Sequence, residues 1–208
     1  MKIKRTLSKL LLIVPILLAA CYPQGPDFTT DYDVVITNHN PDYNFKSKAT
    51  FALPDKIVKV TGNVITGDPP KFIPQPYATV MLNQMSTNMT NLGYTKVDIS
   101  QNPDLILVAA EMETTTVSYW YDYWGWYWGG YYPGWGYPGY GYPVYASSYT
   151  TGTLLMNLID PKVLGGNGNP VIQWSGAPNG ILTSTFDAAR VNPLIDKAFA
   201  QSPYLKKN

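Results

Sequence analysis

The chain has 208 residues, enough for one domain with its own core. Its 15 basic and 14 acidic residues nearly cancel, which leaves no basic footprint for nucleic-acid phosphates. One cysteine excludes an intrachain disulfide, so packing must hold the fold.

Residues 1–20 read as a processing segment. Lys2, Lys4, Arg5 and Lys9 form a positive flank, and residues 10–18 are an apolar run too short to span roughly 30 Å of hydrocarbon. Leu18-Ala19-Ala20-Cys21 then sets small residues before the cysteine. This resembles a bacterial lipobox, which implies a signal peptide cleaved before Cys21 and an acylated (palmitate-type) Cys21 holding the protein to a membrane. A buried methylene contributes about 0.8 kcal/mol, so several acyl chains make a durable anchor. Without the leader, 11 basic residues face 14 acidic ones, about −3, which also argues against capture by anionic head groups. Tyr22 rather than Asp follows the cysteine. By resemblance to lipoprotein sorting in Gram-negative bacteria, that favours the outer membrane of the cell envelope. Residues 21–30, with Pro23, Gly25 and Pro26, read as a flexible tether, and residues 31–208 as a single domain.

In chain order, residues 31–36 and 49–53 have strand composition, and residues 54–76 read as a loop rich in Pro, Gly and Lys. Residues 77–92 place apolar or small side chains at 78, 81, 82, 85, 89 and 92, the spacing of a helix with one buried face. Pro76 suits its first turn and Gly93 its C-terminal cap. The outer face is Thr, Asn, Gln and Ser, weak helix formers, so the helix needs a sheet to lie on. Residues 94–97 give a short strand. Residues 104–118 give a long one, apolar on both faces over 105–110 and therefore central, with Glu111 and Thr115 marking a face that emerges into solvent. Residues 148–160 and 171–176 pair as antiparallel strands across a Gly/Asn turn. Val191, Leu194, Ile195, Ala198 and Phe199 mark a second amphipathic helix, starting near Phe186 with Pro193 inside it or at Asn192 with Pro193 in its first turn. The expected fold class is α+β: an antiparallel sheet of about five to six strands with two helices packed on one face.

Between two long strands lies residues 119–145, built almost entirely from Tyr, Trp, Gly and Pro, with Asp122 its only charge. Gly and Pro interrupt every run, so no period of 2 or 3.6 survives. A hairpin needs two to five residues, and this insertion has about 27. Tyr and Trp offer flat apolar faces with polar edges and lose little rotamer entropy on contact. Trp120, Trp124, Trp126, Trp128, Trp135, Tyr131 and Tyr137 are therefore the candidate binding residues, for an envelope protein or a glycan. Alternatives are a membrane-interfacial belt on a structural envelope spacer, since Trp and Tyr favour head-group depth, and a low-complexity loop without a ligand.

The motifs Phe45-Lys46-Ser47-Lys48-Ala49-Thr50-Phe51-Ala52, Leu92-Gly93-Tyr94 and Asn102-Pro103-Asp104-Leu105-Ile106-Leu107-Val108 precede the insertion. Residues 152–160 and Val171-Ile172-Gln173-Trp174-Ser175-Gly176 follow it. In this order they resemble the domain-of-unknown-function 4136 family of bacterial lipoproteins. The resemblance implies an envelope location and this architecture, and brings no catalytic residues. Pro193 interrupts what is usually a continuous final helix in that family.

Catalytic chemistry finds little footing. His39, the only histidine, sits in Asn38-His39-Asn40-Pro41, which reads as a solvated turn. No nucleophile motif accompanies it. Glu111 and Glu113 share a strand face about 7 Å apart, a separation glycosidases use but solvated strands also produce. A periplasmic hydrolase, the least favoured reading, needs His39, Asp104 and Glu111 in one cleft. Met81, Met85 and Met89 line one helix face and fill a core more readily than they bind Cu(I). Asp27, Asp31 and Asp33 lack the Gly turn and closing Glu of a calcium loop. Trp174 belongs in the core. The sequence thus predicts a non-enzymatic protein with no metal, cofactor or nucleic acid.

Overall fold

The computed structural model describes residues 34–61, 71–113, 152–165, 170–182 and 186–207. The leader, Cys21, the tether and the 119–145 segment with its candidate binding residues lie outside the described residues. Residues 33–208 fall within one structural unit.

The centre of the sheet is β6 (Leu105–Met112), in which every residue is buried. One neighbour is β7 (Thr153–Leu164), antiparallel from Ile106↔Ile159 to Met112↔Thr153. Next is β8 (Pro170–Pro178), also antiparallel, with a register shift beside Ile159, and then β1 (Val35–His39) as the edge. On its other side β6 pairs in parallel with two short pieces in turn. These are β2 (Thr50–Ala52) at its start and β3 (Val58–Val60) at its end. The pairs Ala52↔Ile106 and Val58↔Ala110 spend six residues on one strand against four on the other. β2 and β3 are one strand broken by an excursion that holds Pro54, which cannot donate to the ladder. Two-residue strands finish that edge: β4 (Lys71–Phe72) on β3, and β5 (Thr95–Lys96) on β2.

The expected antiparallel core is present, extended to eight described strands by parallel pairs at β2, β3 and β5. The stretch read as a loop over 54–76 contains β3 and β4. The first strand runs from 35 to 39, later than the 31–36 expected.

α1 (Gln75–Asn91) and α2 (Ala188–Ala200) share one sheet face and one core. α1 buries Ala78, Met81, Leu82, Met85 and Met89, the stripe its periodicity predicts. On its outer face the hydroxyls of Thr79, Thr87 and Thr90 donate to the carbonyls of Gln75, Asn83 and Ser86, so these residues satisfy themselves on their own helix. Its C-terminus is a Schellman motif: Gly93 at φ +96° donates to Thr90, and Tyr94 N–H to Met89. Tyr94 then turns inward, its hydroxyl donating to the Leu205 carbonyl at 2.9 Å, and burial pushes its phenol up to about 12. α2 starts at Ala188, where the Asp187 carboxylate accepts from Ala189 N–H. Pro193 therefore lies inside the helix. The carbonyl it leaves unpaired, on Ala189, is on the exposed side, where water can satisfy it. The helices are joined by Asp196, which accepts from Gln84 at 2.5 Å and Asn88 at 2.6 Å.

Under α2, Trp174 is fully buried against Phe199 and donates from Nε1 to Ser202 Oγ at 2.8 Å. A Cβ on Gly176 would lie 2.6 Å from that indole, so only glycine fits there. The opposite face of the central strands is buried too, including Val108, Ala110, Met112 and Leu155, which explains why 105–110 reads as apolar on both sides.

Candidate functional site

Glu113 and Gly152 are the described residues on either side of the aromatic segment, so the structure bears on it there. Gly152 N–H donates to Met112 O at 2.7 Å and Glu113 N–H to Val60 O at 2.9 Å. Leu182 N–H closes on Gly152 O at 2.9 Å, and Thr153 Oγ1 bonds Asn179 Oδ1 at 3.0 Å. Four separate elements thus hold Glu113 and Gly152, which flank residues 114–151, side by side.

The electrostatics of that base differ from the sequence expectation. Glu111 does not emerge into solvent: it is 8 % exposed and turned to the helix side, because β3 lies alongside it. Lys59 on β3 reaches Glu113 at 2.6 Å and Glu111 only at 3.9 Å. Desolvation pushes the Glu111 carboxyl up, with Lys59 opposing and Glu113 adding to the rise. The contact with Glu113 raises the Lys59 ammonium. The two carboxylates therefore share one cation, which a solvated strand face would not need.

At the opposite end, about seven residues or roughly 23 Å along β6 and β7, the motif residues meet. Asp104 Oδ2 accepts from Ala49 N–H, Thr50 N–H and Thr50 Oγ1 at 2.9, 3.1 and 3.1 Å, and Oδ1 meets Lys162 at 3.2 Å. Partial burial would push this carboxyl up, but the amide bonds, Lys162 and the hydroxyl together pull it down to about 2. Beside it Asp160, fully buried, holds Lys48 at 2.7 Å, accepts from Tyr43 Oη at 2.6 Å and accepts from Lys162 N–H at 2.8 Å. Burial, then that carboxylate, push the Tyr43 phenol far up.

His39 is not in a solvated turn. It ends β1 opposite Trp174 and stacks on Tyr204 with ring centroids 3.6 Å apart. Asp104 and Glu111 stand at opposite ends of β6, so the three residues of the hydrolase reading do not share a cleft. Met81, Met85, Met89 and Trp174 are core residues. Among the described residues no three His, Cys, Asp or Glu side chains group as metal ligands, and no helix is long and apolar enough to cross a membrane. Asp27, Asp31 and Asp33 lie outside the described residues. Sequence reasoning missed the two networks at the sheet ends. The signal was present in Lys48, Thr50 and Asp104 falling inside the motifs, but pairing them needs the parallel β2–β6 register.

The profile of the family described as domain of unknown function (DUF4136) matches residues 35–204. The chain belongs to the DUF4136 family. A crystal structure of a DUF4136 family protein from Bacteroides thetaiotaomicron VPI-5482 is similar at 24% identity, covering 85% of this chain and 98% of that one, with a TM-score of 0.68. Two more distant matches are a PelC dodecamer from Paraburkholderia phytofirmans (15% identity, 83% of this chain and 96% of that one, TM-score 0.38) and a PDZ domain protein from Parabacteroides distasonis (17%, 83% and 34%, TM-score 0.39). No curated protein sequence matches the chain. The Asp104 and Asp160 networks join residues 45–52, 102–108 and 152–160 at one end of the sheet.

Proposed function

We propose that this DUF4136 protein is a non-enzymatic lipoprotein of the cell envelope, anchored through acylated Cys21, whose 119–145 segment is a binding surface for an envelope protein or glycan. Its chemistry of contact is aromatic: Trp120, Trp124, Trp126, Trp128, Trp135, Tyr131 and Tyr137 supply flat faces with polar edges. The observation that carries the reading is the base. Glu113, Gly152 and Thr153, which flank a segment with no periodicity, are held by hydrogen bonds to β3, β6 and the turn after β8, a rigid mount of the kind that binding loops use. Catalysis is disfavoured because His39, Asp104 and Glu111 are each tied to different structural partners.

The test compares intact protein with a variant in which residues 119–145 are deleted, by crosslinking in native membranes and by binding to isolated envelope polysaccharide. Loss of a crosslinked partner or of polysaccharide binding on deletion, reproduced by changing Trp124, Trp126, Trp128 and Trp135 to Ala, supports the proposal. Unchanged capture rejects the binding surface and leaves the spacer reading. Mass spectrometry of the N-terminal peptide tests the anchor separately: a Cys21 without fatty acid removes the membrane placement.

A further inference from the structure

We infer that β1 is a pairing edge for a second copy of this chain, joining two sheets antiparallel about Thr37. The two sides of the sheet end differently. The far side is closed by β4 and β5, two residues each, a length that offers little template. The near side is β1, five residues in unbroken register on β8, without Lys, Pro or bulge.

The ladder fixes which backbone groups of β1 are spent. Asn179 N–H bonds Val34 O and Asn40 N–H bonds Gln173 O. In an antiparallel pair such bonds fall on alternate residues, so 34, 36, 38 and 40 face β8, and Val35, Thr37 and His39 face outward. Among the described residues one outward donor is occupied, His39 N–H, which donates to the Asn38 side chain at 2.9 Å.

A twofold through Thr37 uses what is left. Thr37 meets its counterpart with two N–H to C=O bonds, and Val35 N–H of each copy meets the His39 carbonyl of the other. That makes four bonds, with the Asn38 contact kept. The strand Val-Ile-Thr-Asn-His has no acidic or basic charge at neutral pH beyond the histidine, so juxtaposing two copies brings no like-charge penalty of the kind that guards natural edges. A second copy presents the same free donors and acceptors at the same spacing, so a twofold matches this edge to itself.

The test uses the full-length chain in its host membrane. With Thr37→Cys, the paired Cα atoms would lie about 5.5 Å apart, within disulfide reach. Mild oxidation should give a species of twice the mass, while Lys46→Cys, exposed and outside the strand, should give at least tenfold less. In the second arm Thr37→Pro removes only an outward N–H, so β1 stays on β8, and amine-reactive crosslinking should yield at least tenfold less dimer than the native chain. No disulfide dimer at position 37, or equal dimer from Thr37→Pro, overturns the inference. So does dimer captured only with an unrelated protein in place of the second copy.

Discussion

The two ends of β6 treat their carboxylates in opposite ways. At its start Asp104 has more donors than it needs, and beside it Asp160 is closed in by a lysine, a phenol and an amide. At its end Glu111 and Glu113 compete for Lys59. The first arrangement fixes the register of β2 on β6 and ties β7 to both. The second sits at the root of the aromatic excursion, where the sheet stops and a tight fit has less to hold. Charged ties are concentrated where the motifs meet, while the end that carries the insertion is held mainly by backbone hydrogen bonds, a mount for a functional loop that leaves its carboxylates less tightly paired.

Breaking the rigid end should cost most. Lys48→Met leaves the Asp160 carboxylate buried without its cation, and removing one member of a buried pair costs about 3–5 kcal/mol, read as a lowered urea midpoint. Lys48→Met/Asp160→Leu should recover only part of it, because the pair itself adds little over apolar packing but Tyr43 Oη and Lys162 N–H then lose their acceptor. Asp104→Asn should cost about 2 kcal/mol at pH 7, from a carboxyl held near 2 against an ordinary 3.8. This stability is present above pH about 3.8 and lost as pH falls toward 2, so the gap between native chain and variant should close across that window. Between the ends, Asn157 is fully buried on the second sheet face, and among the described residues neither its side-chain nitrogen nor its oxygen has a partner. Asn157→Leu should raise stability by about 1–2 kcal/mol, the cost of an unsatisfied buried amide. A loss of stability instead would mean that the amide is engaged in solution.

What could be read in advance follows the range of the forces. The α1 stripe, the Gly93 cap and the central burial of 105–110 depend on local periodicity, and the sequence carries them openly. The β2–β6 pairing joins Thr50 to Asp104 across 54 positions through a hydroxyl and a carboxylate, and no local pattern announces it. Missing it hides β3, and missing β3 hides Lys59, so Glu111 looks like a solvent-facing residue. His39 failed for a related reason: Asn-His-Asn-Pro is turn-like locally, but pairing with β8 and the Tyr204 ring hold it in a strand. The binding residues proposed on 119–145 were legible only as composition, since Gly and Pro erase every period from which geometry could be inferred.

The smallest effect gives the sharpest contrast. Glu111→Gln removes a carboxylate that pays a desolvation cost and recovers only a 3.9 Å contact with Lys59, while Lys59 keeps Glu113 at 2.6 Å. At pH 7 the stability change should stay within about 1 kcal/mol, as for a weak ion pair. Its pH dependence should run opposite to that of Asp104→Asn. The folded state raises the Glu111 carboxyl above its ordinary 4.5 and so binds the proton more tightly than the unfolded chain. The native protein therefore gains stability relative to Glu111→Gln as pH falls from above the raised value through 4.5. Denaturant midpoints of both variants and the native chain at pH 7, 5.5, 4.5, 3.5 and 2.5 check this, the upper three reading Glu111 and the lower three Asp104. Parallel slopes would mean that Glu111 is solvated, and that the root of the aromatic segment is no different from the end where the motifs meet.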